Sequence, residues 1–145
     1  MEGFRGTAIL IRHADVTPEP GGAPDPGPRL NAAGQARARE LRHVLRDAGV
    51  RAIFVTRLRR SQQTAEPLAM KLGIVPRVID EVDEVVTAIR SLPAASVTLV
   101  IGHSNTVPEI IAKLGGPLLP TLAATKFDNL FVQSGQRLTH LRYGA

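Results

Sequence analysis

Residues 7–14 read Thr7-Ala8-Ile9-Leu10-Ile11-Arg12-His13-Ala14, an apolar run that halts at an arginine and a histidine. Four consecutive apolar residues bounded by polar ones predict a short strand buried on both faces, as strands of a parallel sheet are. A buried strand that delivers two cationic side chain types at its tip places them where loops leave a rigid scaffold, which is where functional groups concentrate.

Two other runs have the same form. Val97 to Ile101, VTLVI, reads as the strongest strand of the chain and ends in Gly102-His103-Ser104-Asn105. Ala52-Ile53-Phe54-Val55 is followed directly by Thr56 to Arg60. Residues 75–79, VPRVI, suggest a further strand, and Leu130-Phe131-Val132 with Leu138 to Leu141, separated by Ser134-Gly135-Gln136, predict a terminal β-hairpin.

Helical spacing fills the intervals. Ala38, Leu41, Leu45 and Ala48 recur on one helical face, with Asn31 as a candidate N-cap and Gly49 as a stop. A polar segment, RLRRSQQTAEPLAMKLG, predicts a second helix ending at Gly73, in which Pro67 either bends the axis or restarts it. Val82, Val85, Val86, Ile89 and Leu92 mark a third, with Asp80, Glu81, Asp83 and Glu84 crowding its start. Thr106 to Leu114 reads as a fourth, with Pro108 in its first turn. Residues 18–28, with five prolines and three glycines in eleven positions, fit neither helix nor central strand and predict a loop. Strands alternating with helices imply an α/β layered fold with a mainly parallel central sheet and the hairpin as its antiparallel member.

Composition bounds the rest. A chain of 145 residues fits one domain, residues 1–145, with a single core. With 43% hydrophobic but only 3% aromatic residues, Ala, Val, Leu and Ile must build it. The absence of cysteine excludes disulfides and thiolate metal sites and fits a reducing compartment. No signal-like segment and no run of about 18 apolar residues is present, so a soluble, cytoplasmic protein without a membrane partner is expected. The charge of +5 arises mainly from arginine, 15 of 18 cations. Glu40 and Asp47 interleave with the arginines at 37, 39, 42, 46 and 51, and stacking platforms are few, which argues against nucleic acid as a partner.

In a parallel sheet the three segments after the strands, Arg12-His13, Thr56 to Arg60 and Gly102-His103-Ser104, share one edge. Two histidines and at least two arginines facing one crevice describe a phosphoanion site: guanidinium forks hold oxygens and a neutral imidazole can attack phosphorus. Neither a G-x-S-x-G elbow nor a cysteine supplies an acyl-transfer nucleophile, and Walker-type and Rossmann glycine loops are missing. A metal site is disfavoured, since His13 and His103 lack an H-x-x-x-H partner and have only Asp15 close by; no cofactor is expected. The second Arg-His pair, Arg42-His43, lies on a helix flank and reads as solvated, and His140 as structural.

Together the three segments resemble the histidine phosphatase superfamily, whose phosphoglycerate mutase-like branch begins with a strand ending in R-H-G. The family segment S-x-L-x-R-A-x-Q-T-A is matched by Thr56-Arg57-Leu58-Arg59-Arg60-Ser61-Gln62-Gln63-Thr64-Ala65, and its G-H-S by Gly102-His103-Ser104. The resemblance implies a phosphoglycerate mutase-like fold with helices on both faces of the sheet, and a small phosphohistidine phosphatase-like member. It also implies a metal-independent phosphomonoesterase: His13 as the nucleophile that carries a phosphohistidine intermediate, and Arg12, Arg60 and His103 clamping the phosphoryl group, with Ser104 beside them. The family's carboxylic acid falls best on Glu81, with Asp15 as the rival. Ala14 replaces the family glycine, which suggests crowding rather than a need for positive φ. Expected substrates are phosphorylated small molecules or phosphoproteins. Phosphoglycerate mutase-like phosphoryl transfer and a non-catalytic phospho-ligand binding module stay open as alternatives, and the oligomeric state is not legible.

Overall fold

A computed structural model describes residues 3–18 and 26–144. Six strands and four helices follow one another: β1 (Thr7–Arg12), α1 (Ala32–Leu45), β2 (Val50–Val55), α2 (Arg59–Leu72), β3 (Arg77–Val78), α3 (Val82–Ser91), β4 (Val97–Gly102), α4 (Thr106–Lys113), β5 (Asn129–Ser134) and β6 (Arg137–Arg142). They form one sheet of order β3-β2-β4-β1-β5-β6. The pairs among β1 to β4 are parallel, whereas β5 runs antiparallel to β1 and β6 to β5, so the hairpin closes one side of a mainly parallel sheet.

Each central strand is apolar on both faces because helices cover both. Ile9, Ile11, Ile53, Val55, Leu99 and Ile101 pack with Leu41 and Leu45 of α1 and Ala65, Leu68 and Ala69 of α2. The alternate residues Ala8, Leu10, Phe54 and Val100 pack with Val85, Ala88 and Ile89 of α3 and Val107, Ile110 and Ile111 of α4. This two-residue alternation is the pleat itself, and each Leu or Ile so enclosed contributes about 1.5–3 kcal/mol.

Local chemistry sets the ends of the elements. The Asn31 side chain accepts from Gly34 N at 2.9 Å and starts α1. Gly73, at φ 68°, closes α2 in the left-handed conformation that glycine adopts without strain. α2 runs unbroken through Pro67 from Arg59 to Leu72. Two expectations need adjustment. α1 ends at Leu45, ahead of Gly49, whose φ of 75° serves the turn into β2 instead. Of residues 75–79 only Arg77 and Val78 pair, with Phe54 and Val55, at the edge of the sheet; Pro76 has no N–H to extend the ladder. Most of the proline-rich stretch, residues 19–25, lies outside the described residues; beyond it the Pro26 carbonyl accepts from Arg59 N at 3.3 Å.

α1 presses against the chain that leaves β1. Gly34 is buried, and a Cβ there would collide with the backbone of Asp15. Gly34→Ala should therefore lower the thermal midpoint, because overpacking costs about 1–3 kcal/mol and outweighs the roughly 1 kcal/mol gained in helix propensity. Exposed Gln35→Ala is the control, and a midpoint unchanged or raised in Gly34→Ala would show that α1 does not bear on Asp15.

Candidate active site

Parallel pairing brings the ends of β1, β4 and β2 side by side. Arg12 stands opposite Gly102 in the β1–β4 register, and the ladder extends one residue further, with His13 N donating to Gly102 O at 3.0 Å. Ser61 of α2 fixes the third strand end: its hydroxyl accepts from Thr56 N at 2.9 Å and donates to Ile101 O at 3.0 Å, with no exposure to solvent. Thr64, one helical turn after Arg60, accepts from Ala14 N at 2.8 Å and donates back to Arg60 O at 2.6 Å. Two small hydroxyl side chains thus lock the phosphoanion candidates of three elements to one another. Ala14 is fully buried, and it is absent from the positive-φ residues, so crowding explains the small side chain there.

The two histidines face each other with ring centroids 5.4 Å apart. His13 is only 3% exposed, and its Nδ1 lies 2.8 Å from Ala14 O. A carbonyl can only accept, so Nδ1 carries the proton and Nε2 keeps its lone pair. Burial, opposed by that carbonyl and reinforced by the charges of Arg12, His103 and Arg60, holds the His13 pKa down to about 3. His103 is held down to about 4, first by burial and then by Arg60 and Arg12, with Asp80 opposing them. Its Nε2 is 3.0 Å from Thr56 Oγ1, and its backbone N donates to Thr106 Oγ1 at 2.8 Å. Both imidazoles are neutral at pH 7.

Arg12 and Arg60 supply the positive charge, and desolvation lowers the pKa of each. Arg60 packs against Gly27, where a Cβ would strike its Nη1. Among the described residues Arg12 is fastened on one side. Its Nη1 donates to the carbonyls of Ala123 at 3.2 Å, Ala124 at 2.8 Å and Lys126 at 3.0 Å, and its Cζ stands 4.1 Å from the centroid of the Phe127 ring. Its Nε is buried and has no hydrogen-bond partner among the described residues. That is a donor in want of an acceptor.

The carboxylates fall differently from expectation. Asp15 is turned to α1, where its Oδ1 receives Arg37 Nε at 2.7 Å. Glu81 is the exposed N-cap residue of α3, and its side chain makes no capping bond. The acid whose charge reaches His103 is the neighbouring Asp80, which accepts from Arg57 N at 2.8 Å and faces Arg57 Nη1 at 3.6 Å. Ser104 follows His103, with its carbonyl accepting from Leu122 N at 3.0 Å. Among the described residues no three His, Cys, Asp or Glu side chains gather as a metal site, and no helix is long and apolar enough to cross a membrane. Sequence reasoning gave no place at the reacting centre to Thr56, Thr64 or Phe127, and it read Asp80 only as part of the acidic start of α3. Thr64 carried a usable signal, a polar residue on the apolar face of a helix; Phe127 carried none.

A model of the histidine phosphatase superfamily (branch 1) matches residues 8–87, more than half of the chain. The chain belongs to this superfamily. Among curated proteins, this histidine phosphatase chain is 36% identical over 134 residues to the PE-PGRS family protein PE_PGRS11 of Mycobacterium tuberculosis (strain ATCC 25618 / H37Rv), covering 87% of the chain and 22% of that protein. It therefore spans only about a fifth of that relative. Among solved structures, the protein histidine phosphatase SixA complexed with tungstate superposes with TM-score 0.70 at 20% identity over 96% of each chain. A mycobacterial glucosyl-3-phosphoglycerate phosphatase superposes with TM-score 0.73 at 15% identity over 96% of this chain and 99% of its own. These likenesses confirm the histidine phosphatase fold expected from the sequence.

The two histidines make stability depend on pH. In the unfolded chain they titrate near 6.5, in the folded chain near 3 and 4, so acid favours unfolding. Stability should hold above about pH 6.5 and fall as pH drops towards 4, with a slope of up to about 1.4 kcal/mol per pH unit for each histidine. Urea midpoints for wild type, His13→Asn and His103→Asn between pH 7 and about 4.5 check this; each variant should show a shallower acid loss.

Proposed function

We propose that this domain is a phosphatase that works through a covalent phosphohistidine on His13. The observation that carries the proposal is the buried, neutral His13 with its Nε2 lone pair, flanked by His103, Arg12 and Arg60. Nε2 attacks phosphorus in line, forming the P–N bond as the bond to the leaving group breaks. Arg60 and the free Nε edge of Arg12 bind the equatorial oxygens, whose negative charge supplies the acceptor that Nε lacks. His103, oriented by Thr56, donates to the same oxygens. Water then cleaves the P–N bond, releasing phosphate and restoring neutral His13. No metal takes part in either step.

The carboxylates bear on the leaving group. Asp15 is engaged by Arg37 and Asp80 by Arg57, while Glu81 stands exposed at the start of α3. None is held ready to protonate a poor leaving oxygen, so the reading favours phosphohistidine or activated esters over alkyl phosphates. The protein histidine phosphatase SixA among the structural neighbours agrees with that preference, and a glucosyl-3-phosphoglycerate phosphatase keeps small phosphate esters in view.

Hydrolysis of an aryl phosphate with chelator present is the test. Wild type should turn over and His13→Ala should not; turnover by both would remove the covalent step. Arg60→Ala should lower kcat/KM by about 100-fold or more, the scale of losing one charge-stabilising donor set. An alkyl phosphate should react at least about 100-fold more slowly than the aryl ester, the contribution a poised general acid would otherwise make. Equal rates for the two would point to a working acid, with Asp80→Asn and Glu81→Gln to locate it.

A further inference from the structure

The segment between α4 and β5 takes part in the site although it contains none of the residues that mark the family. Leu122 N donates to Ser104 O at 3.0 Å, which anchors the segment beside His103. Lys126 N then donates to Ala123 O at 3.0 Å and folds residues 123–126 into a turn. Three carbonyls of this turn converge on Arg12 Nη1, and the next residue, Phe127, lays its ring over the guanidinium at 4.1 Å. The same ring lies 5.9 Å from the His13 imidazole, inclined at 52°.

We propose that Phe127 is a positioning residue for both halves of the reaction centre: its face sets the plane of the Arg12 guanidinium, and its edge keeps water from His13. The carbonyls hold only one end of the guanidinium fork. A planar group held at one nitrogen can still rotate about that attachment, and a ring stacked on its face removes the rotation. The edge left to meet an anion is then the one carrying Nε, the buried donor without a partner among the described residues. On the other side, the ring helps make the environment in which His13 is desolvated. The charged and titratable groups that face His13 are Arg12 from β1, His103 at the end of β4 and Arg60 from α2; Asp15 acts on Arg12, and Asp80 and Arg57 act on His103. Replacing Phe127 leaves all of these in the sequence and changes the exclusion of water.

This inference rests on His13 and Arg12 being the reacting pair, so the readouts are chosen to separate the two ideas. The variants are Phe127→Ala, which removes both bulk and π face, and Phe127→Leu, which keeps bulk alone. The first readout is titration of the His13 ring by NMR between pH 5 and 8, assigned by comparison with His13→Asn. Wild-type His13 should stay neutral throughout. In Phe127→Ala it should begin to protonate above pH 5, an upward shift of about two units as desolvation is relieved, and the acid limb of kcat/KM should move with it. Phe127→Leu should keep His13 neutral yet bind inorganic phosphate about tenfold more weakly, because the guanidinium has lost its stacking partner. A raised KM for an aryl phosphate should accompany that loss.

Titration and phosphate affinity unchanged in both variants would overturn the proposal, as would losses matched by an equal loss of folded protein. If Phe127→Ala does not fold, Phe127→Leu still decides the guanidinium half, and Phe127→Val, which removes most of the ring's bulk, decides the water-exclusion half. Moved titration in a protein whose wild type shows no turnover would support the positioning role while removing the phosphatase reading. Turnover with unmoved titration would do the reverse.

Discussion

The register between β1 and β4 is the constraint on which the site depends. Arg12 opposite Gly102, and the bond from His13 N to Gly102 O, put the two histidines at the same level of the sheet. A slip of one residue would turn every side chain of β1 to the opposite face. Ile9 and Ile11 would then meet α3 and α4, and Leu10 would meet the helices of the other side. The core on both faces therefore enforces the register, and the register in turn delivers the chemistry. Hydroxyls carry the same order outward: Ser61 measures the distance from β2 to β4, and Thr64 ties α2 to the residue after His13.

Electrostatically the centre is an arrangement of donors with little countercharge among them. Both arginines are partly desolvated, and both imidazoles are kept neutral by burial and by those arginines. α2 and α4 start at this edge of the sheet, so the positive ends of their dipoles add to the field. Protonating either histidine would add a third charge to a crowded, poorly solvated space. A tetrahedral dianion has the opposite effect, because it gives each donor an acceptor at once and removes the repulsion between guanidinium groups.

Much of this was legible in the sequence because it is written in short, local signals. The apolar runs ending in Arg12-His13 and Gly102-His103 read directly as strands and strand tips, and Asn31 and Gly73 as helix boundaries. The sheet order needs the pairing itself, yet convergence of the tips follows from parallel direction alone. What was not legible depends on contacts between distant segments. Asp15 reads as a free carboxylate until Arg37 closes on it. Asp80 and Glu81 are neighbours with the same chemistry, and only the path of the chain into α3 decides which faces His103. The turn at residues 123–126 carries no side-chain signature, since it acts through backbone carbonyls. Residues 75–79 looked like a strand by composition, but an edge position with a proline leaves only two residues to pair.

The Arg37 side chain joins more than α1 and Asp15. While its Nε holds the Asp15 carboxylate at 2.7 Å, its Nη1 donates to Tyr143 O at 2.6 Å. Tyr143 is buried beyond the last strand, with its own N donating to Asp128 O at 3.0 Å. The end of the hairpin is thereby in mechanical contact with the second residue after His13, through one rigid planar group. A displacement of Tyr143 would pass through Arg37 to the segment that follows β1. The end of the hairpin is, in that sense, part of the foundation on which His13 stands.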